Sequence, residues 1–222
     1  MKRLFFLFLM LTVFSSGYSQ KKYAFDYMLV YDFKMNDTSK VKEVFFYTNS
    51  QDNSYFLRVY EKDSLNYSIY FRDQKGFYSD FGSPRNEFLQ LSKTVLTCDF
   101  LRILDNHFKY QTDNYEFKNK EDTLVGNEYH PFYIFKSNNP KQEKKKKLAT
   151  TYYYLENNTE FHLPLLENDT AYEEWKLEEN IPSGIPKEMY YLSYSKEEIF
   201  MHYKLKRIIK IENSLTFLGD CN

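Results

Sequence analysis

One tryptophan, two cysteines, four histidines and six residues each of glycine and proline are all that the 222-residue chain holds of those types. No Gly-x-Ser-x-Gly elbow, His-Glu-x-x-His helix, Cys-x-x-Cys pair or Gly-rich phosphate loop occurs among them. These absences point away from the familiar enzyme classes, and no cofactor is implied. Basic residues do not outnumber acidic ones, 30 against 31, so nothing in the charge recommends nucleic acid as a partner. Beyond the first 14 residues no apolar run approaches the ~20 residues of a membrane-spanning helix.

That first run has its own meaning. Lys2 and Arg3 precede an apolar stretch over 4–14, and Ser15, Ser16, Gly17, Tyr18 and Ser19 follow. A basic tip, a short apolar segment and small residues at its end make a secretory signal peptide, with cleavage expected after Ser19. A buried N-terminal helix would need a polar face, which the stretch lacks. No cysteine ends the run, so a lipid anchor is not expected. Losing Lys2 and Arg3 leaves 28 basic residues against 31 acidic, a mature charge of about −3. The remaining residues 20–222 suffice for one domain with one substantial core. In an oxidising compartment Cys98 and Cys221 can pair, tying the C-terminal tail to the middle of the domain. The alternative is a buried Cys98 and a terminal thiol at Cys221, and spacing alone does not decide.

Tyr and Phe are abundant, 22 and 21, and both favour pleated, half-buried surfaces. Strands are expected over 23–33, 41–48, 55–61 and 67–72, where Tyr55, Leu57 and Val59 alternate with Arg58, and Tyr67, Ile69 and Phe71 alternate with Ser68 and Arg72. Short polar links make antiparallel neighbours natural. Over 84–108 the spacing of Leu89, Leu96, Phe100 and Ile103 predicts a helix begun by Pro84 and Asn86, although β-branched Thr94, Val95 and Thr97 leave a strand and turn around 96–100 open. Further strands are expected over 114–117, 129–136, 149–156, 160–163, 188–194 and 199–211, with a short helix over 169–179 and a stiff turn over 181–186. The lysine-rich 141–147 reads as a solvated hairpin tip. The fold class is mainly β: a curved antiparallel sheet or half-barrel meander with one or two helices packed against it.

Chemistry is thinly signalled. His107, His130, His162 and His202 are scattered, and Glu160 with His162 offers only two ligands on one expected strand face, so no metal site is expected. His202 lies opposite the apolar stripe of its strand and reads as surface. A single Trp175 gives stacked-sugar recognition little support, and most Tyr and Phe are expected to fill or fringe the sheet. Asp63-Ser64-Leu65, Asp122-Thr123-Leu124 and Asp169-Thr170-Ala171 fit an Asp-(Ser/Thr)-aliphatic O-glycosylation pattern and fall in expected loops.

The signal ending Gly17, Tyr18, Ser19, the early meander and the late turn through Gly184, Ile185 and Pro186 resemble exported proteins of Bacteroides-like bacteria, the turn being similar to that of the GLPGLI family. Lys187 departs from the second glycine of that turn. The broader layout is similar to the lipoprotein-carrier (LolA-like) fold, a half-barrel with helices against its concave side. That resemblance implies a concave apolar surface in the periplasm able to shelter an acyl chain or another hydrophobic ligand. The expected function is an exported, non-enzymatic binding protein for a lipid, a lipoprotein or another hydrophobic molecule. The alternatives are a secreted hydrolase whose carboxylates converge only on folding, and a structural or protein-interaction module.

Overall fold

The computed structural model describes residues 20–88, 93–104, 106, 107, 109–194, 198–219 and 221. The expected signal peptide, residues 1–19, lies outside them, as does Leu89 of the expected helix. The described chain forms β1 (Gln20–Lys34), β2 (Lys42–Asn49), β3 (Asp52–Glu61), β4 (Asn66–Asp73), β5 (Phe77–Pro84), α1 (Arg85–Phe88), β6 (Lys93–Thr97), β7 (Arg102–Ile103), β8 (Tyr115–Val125), β9 (Glu128–Ser137), α2 (Pro140–Lys146), β10 (Thr150–Leu155), α3 (Asp169–Glu178), β11 (Pro186–Leu192) and β12 (Ile199–Leu218). Eleven strands lie in the order β7-β5-β4-β3-β2-β1-β12-β11-β10-β9-β8, and β6 joins β12 off this path. The sheet is open and antiparallel except at β6, and three helices pack against it.

Alternation dictates the faces. Leu29, Tyr31, Val44, Phe46, Phe56, Tyr133, Tyr153, Met189 and Tyr203 gather in one buried cluster on what we call the inner face. Tyr47, Tyr55, Leu57, Val59, Ile69 and Phe71 gather in a second, on the outer face. Each such fully buried side chain contributes roughly 1.5–3 kcal/mol. β1 belongs to both clusters. Its pairing with β2 begins only at Tyr27, whereas its pairing with β12 continues back to Gln20. Tyr23 and Phe25 accordingly sit in the outer cluster while Leu29 and Tyr31 sit in the inner one. At the changeover Asp26 accepts bonds from the Ser50 N–H and hydroxyl, at 2.8 and 2.6 Å. The N-terminal end of β1, the C-terminal end of β12 and β6 therefore leave the main sheet as a ribbon and cover β2–β5. Cys98 and Cys221 are joined as a disulfide with Cα atoms 5.1 Å apart, at the margin of that ribbon.

Three expectations are corrected. The helix over 84–108 reduces to the four-residue α1, and residues 93–97 form a parallel strand instead. Thr94, Val95 and Thr97 suit a strand, and β6 takes the hydrogen-bonding edge that β12 presents over 214–218. Residues 160–163 are not a strand but a turn, closed by the His162 N–H donating to the Thr159 carbonyl at 3.0 Å. The lysine-rich tip between β9 and β10 is itself helical: Asn139 caps α2 by accepting from the Gln142 N–H, Pro140 starts it, and lysines fill its last turn. Charged residues on β8, among them Lys118, Lys120, Glu121 and Asp122, guard one open edge of the sheet.

Candidate functional site

The inner face is partly covered by the chain's own connection from β10 to β11, residues 156–185, which includes α3. Leu165, Leu166, Ala171, Tyr172, Ile181 and Ile185 bury themselves against the sheet there. Polar stitches hold the connection down. The Leu163 N–H donates to Ser50, the Asn53 amide to the Pro164 carbonyl at 3.0 Å, and the Gln74 amide to the Leu166 carbonyl at 3.3 Å. Asn168 caps α3 by accepting from the Thr170 and Ala171 N–H groups. Two arginines project from the sheet to meet the connection's acids, Arg58 to Glu167 and Arg72 to Asp169.

Two clefts stay open beside this cover. One, of about 330 Å³, is lined by Phe33, Met35, Val44, Tyr60, Met201 and Tyr203, with Lys42 and Arg58 as its charges. The other, of about 390 Å³, lies between Tyr115, Phe135, Thr151 and Tyr191 of the sheet and Glu167–Thr170 of the connection. Arg58 lines the first and Glu167 the second, so their ion pair partitions the face. The Arg58 guanidinium also lies 5.3 Å from the centre of the Tyr70 ring. Burial pushes the Tyr203 hydroxyl up in pKa, and Arg58 beside it pulls the other way. The first cleft thus sets an apolar wall beside Lys42 and the Arg58–Glu167 ion pair. Among the described residues no helix is long and apolar enough to cross a membrane.

The structure sends the four histidines to separate places. His107 is exposed before β8. His162, read as part of a polar edge with Glu160, is buried, with Thr48 Oγ1 at 2.8 Å from Nε2 and the Leu163 carbonyl at 2.5 Å from Nδ1. Burial lowers its pKa. Glu160 is exposed in the same turn and shares no strand face with it. His202 is one-third exposed beside Glu188, 3.7 Å away, and His130 is wholly buried on β9. Trp175 packs on Tyr172 of its own helix. Of the glycosylation-like triplets only Ser64 lies in an exposed turn; Thr123 is in β8 and Thr170 is buried at the start of α3.

On the outer face, Phe132, Tyr152, Tyr154 and Tyr190 form a ladder that the sequence reading did not single out. Phe132 stacks on Tyr154 with centroids 4.6 Å apart at 6°, and Tyr152 on Tyr190 at 4.8 Å and 7°. Rings this close and parallel lie face to face across the strands, so they occupy one another's faces and turn their edges outward. That arrangement stabilises the sheet and leaves no flat platform for a sugar. Cross-strand register would have revealed it, and register is not readable from one strand alone.

No family model matches the chain, and no curated protein does. Among solved structures, a chain in the complex structure of Pseudomonas aeruginosa MucA/MucB aligns over 83% of this chain and 51% of its own length, at 7% identity and a TM-score of 0.41. The crystal structure of MucB aligns over 83% and 53%, at 6% identity and 0.40. A putative outer membrane lipoprotein-sorting protein domain from Vibrio parahaemolyticus aligns over 91% and 89%, at 4% identity and 0.29. The chain spans about half the length of the first two.

Proposed function

We propose that the chain is an exported envelope protein that binds an amphipathic ligand, an acyl-chain molecule with an acidic head, in the cleft beside Arg58. Residues 1–19 serve as the export signal and 20–222 as one binding domain. The observation that carries the reading is the 330 Å³ cleft itself: Phe33, Val44, Met201 and Tyr203 supply an apolar wall with Lys42 as a cation beside it, and an acidic head would compete with Glu167 for Arg58. Its volume lies within the range of small-molecule sites. Each methylene moved from water onto that wall contributes about 0.8 kcal/mol, so a few methylenes suffice for measurable affinity.

The test is titration of the purified chain with a fluorescent long-chain fatty acid, alongside native mass spectrometry of protein taken from its own envelope. The expected result is saturable one-site binding, weakened tenfold or more by Met201→Arg, which puts a charge into the wall. Absence of saturable binding together with a ligand-free native mass would overturn the proposal.

A further inference from the structure

A second site lies at the other end of β9 and β10. His130 is 0% exposed. Its Nδ1 stands 2.8 Å from the Leu155 carbonyl oxygen, which can only accept, so Nδ1 carries the proton and Nε2 presents a lone pair. Nε2 is buried and, among the described residues, has no hydrogen-bond partner. Glu128 Oε2 is 4.0 Å from it, and one ligand atom from each of Glu128, His130 and Glu156 lies within 4.8 Å of the others. A buried imidazole whose outer nitrogen is held by a backbone carbonyl, and whose inner nitrogen faces acids without bonding them, is the arrangement by which proteins orient a metal ligand.

The backbone is shaped around this point. β8 is bulged between Lys120 and Thr123, across from His130, and β10 shifts register between Tyr154 and Leu155. Bulges are common where a strand must re-aim a side chain. Glu156 follows the second shift, and the turn through Gly184 and Ile185 fixes it: the Glu156 N–H donates to the Ile185 carbonyl at 2.8 Å, while the Thr159 hydroxyl donates to the Glu156 carbonyl at 2.6 Å and accepts from the Ile185 N–H at 2.9 Å. Gly184, at φ +150°, makes the close approach; a Cβ there would meet Leu155 Cδ1 at 3.1 Å and Thr159 Oγ1 at 3.3 Å. A solvent cleft lined by Gly126, Asn127, Glu128, Lys187 and Lys204 lies beside Glu128 and beside Lys187, the ion-pair partner of Glu156.

We propose that His130, Glu156 and Glu128 bind a divalent first-row cation such as zinc, with a coordination position open to the cleft. One imidazole and two carboxylates make a borderline set suited to such an ion. In a tetrahedral zinc site the ligand atoms stand roughly 3.3 Å apart, so the carboxylates must close by up to about 1.5 Å. Glu128, exposed on its strand end, is free to do so. Lys187 now neutralises Glu156 at 3.2 and 3.3 Å and is the cation's competitor. Loading displaces its ammonium toward solvent.

Titration of the untagged chain with zinc against a chromophoric chelator tests the site, with cobalt added separately to read visible absorption from an ordered coordination sphere. The expected result is one ion per chain, weakened at least tenfold by Glu128→Gln and by Glu156→Gln, tightened by Lys187→Met and indifferent to His202→Gln. Both carboxylates are partly exposed, so these variants leave the fold intact, and thermal unfolding verifies it. Absence of 1:1 binding, affinity unchanged in both carboxylate variants, or weaker binding in Lys187→Met would each overturn the proposal.

Discussion

Replacing both Cys98 and Cys221 by alanine removes a crosslink that spans 123 residues of sequence. Loop-closure entropy for a loop of that length gives an upper bound of about 4.9 kcal/mol at 25 °C. The native state retains much of what the bridge tethers: β6 still pairs with β12 over 93–97 and 214–218, and Leu96, Leu215 and Phe217 still share the outer cluster. Those native contacts are common to both chains and cancel, whereas residual structure in the unfolded, reduced chain lowers the realised entropy gain, so a loss of about 3 kcal/mol is expected. For a domain near 200 residues each kcal/mol corresponds to roughly 2–4 °C, which places the fall in melting temperature at about 6–12 °C. Circular dichroism melts of the oxidised chain and of the double-alanine variant, at equal concentration and without reductant, measure it. A variant that melts within a degree of the parent would refute the reasoning, because a closed loop of this length cannot leave the unfolded state unconstrained.

Three further outcomes follow from the geometry. Gly184→Ala forces an alanine into a glycine-only backbone region and against Leu155 and Thr159, so urea unfolding should show a loss of about 1–3 kcal/mol or more, with zinc affinity falling as Glu156 shifts. His162 has its pKa lowered by burial, so the unfolded chain, near 6.5, takes up the proton first; its contribution is complete above that value and is lost as pH falls below it, and His162→Gln should flatten the urea midpoint between pH 7 and 5. Arg58→Ala leaves the half-buried Glu167 without its partner and should cost roughly 1–2 kcal/mol in the same assay, whereas Arg58→Met with Glu167→Gln should recover most of it.

Legibility in the sequence followed alternation. β3, β4 and β12 announce themselves because their alternating side chains feed the buried clusters, and Asp169–Glu178 shows a capped helical start. β5, by contrast, reads Phe-Tyr-Ser-Asp-Phe-Gly-Ser-Pro, which looks like a turn; it is a strand because β4 offers it eight partners in register. Residues 93–97 followed their β-branched side chains over the helical spacing of their leucines, since a neighbouring strand edge outweighs weak local preference. The clefts depend on where the 156–185 connection lies, which no local pattern encodes. His130 carried one legible sign, Glu128 two residues before it on the same strand face. Glu156 reaches it only through the pairing of β9 with β10.

The first and last described strands are neighbours at the middle of the sheet, and among the described residues β1 pairs only with β12 over residues 20–25. A chain emerging N-terminus first therefore cannot complete its centre until β12 is made. Contacts of such long sequence separation form slowly. For a protein bound for export, as proposed above, that delay keeps the nascent polypeptide threadable through a translocation pore, and the same topology that makes the folded sheet cooperative holds it open until passage is done.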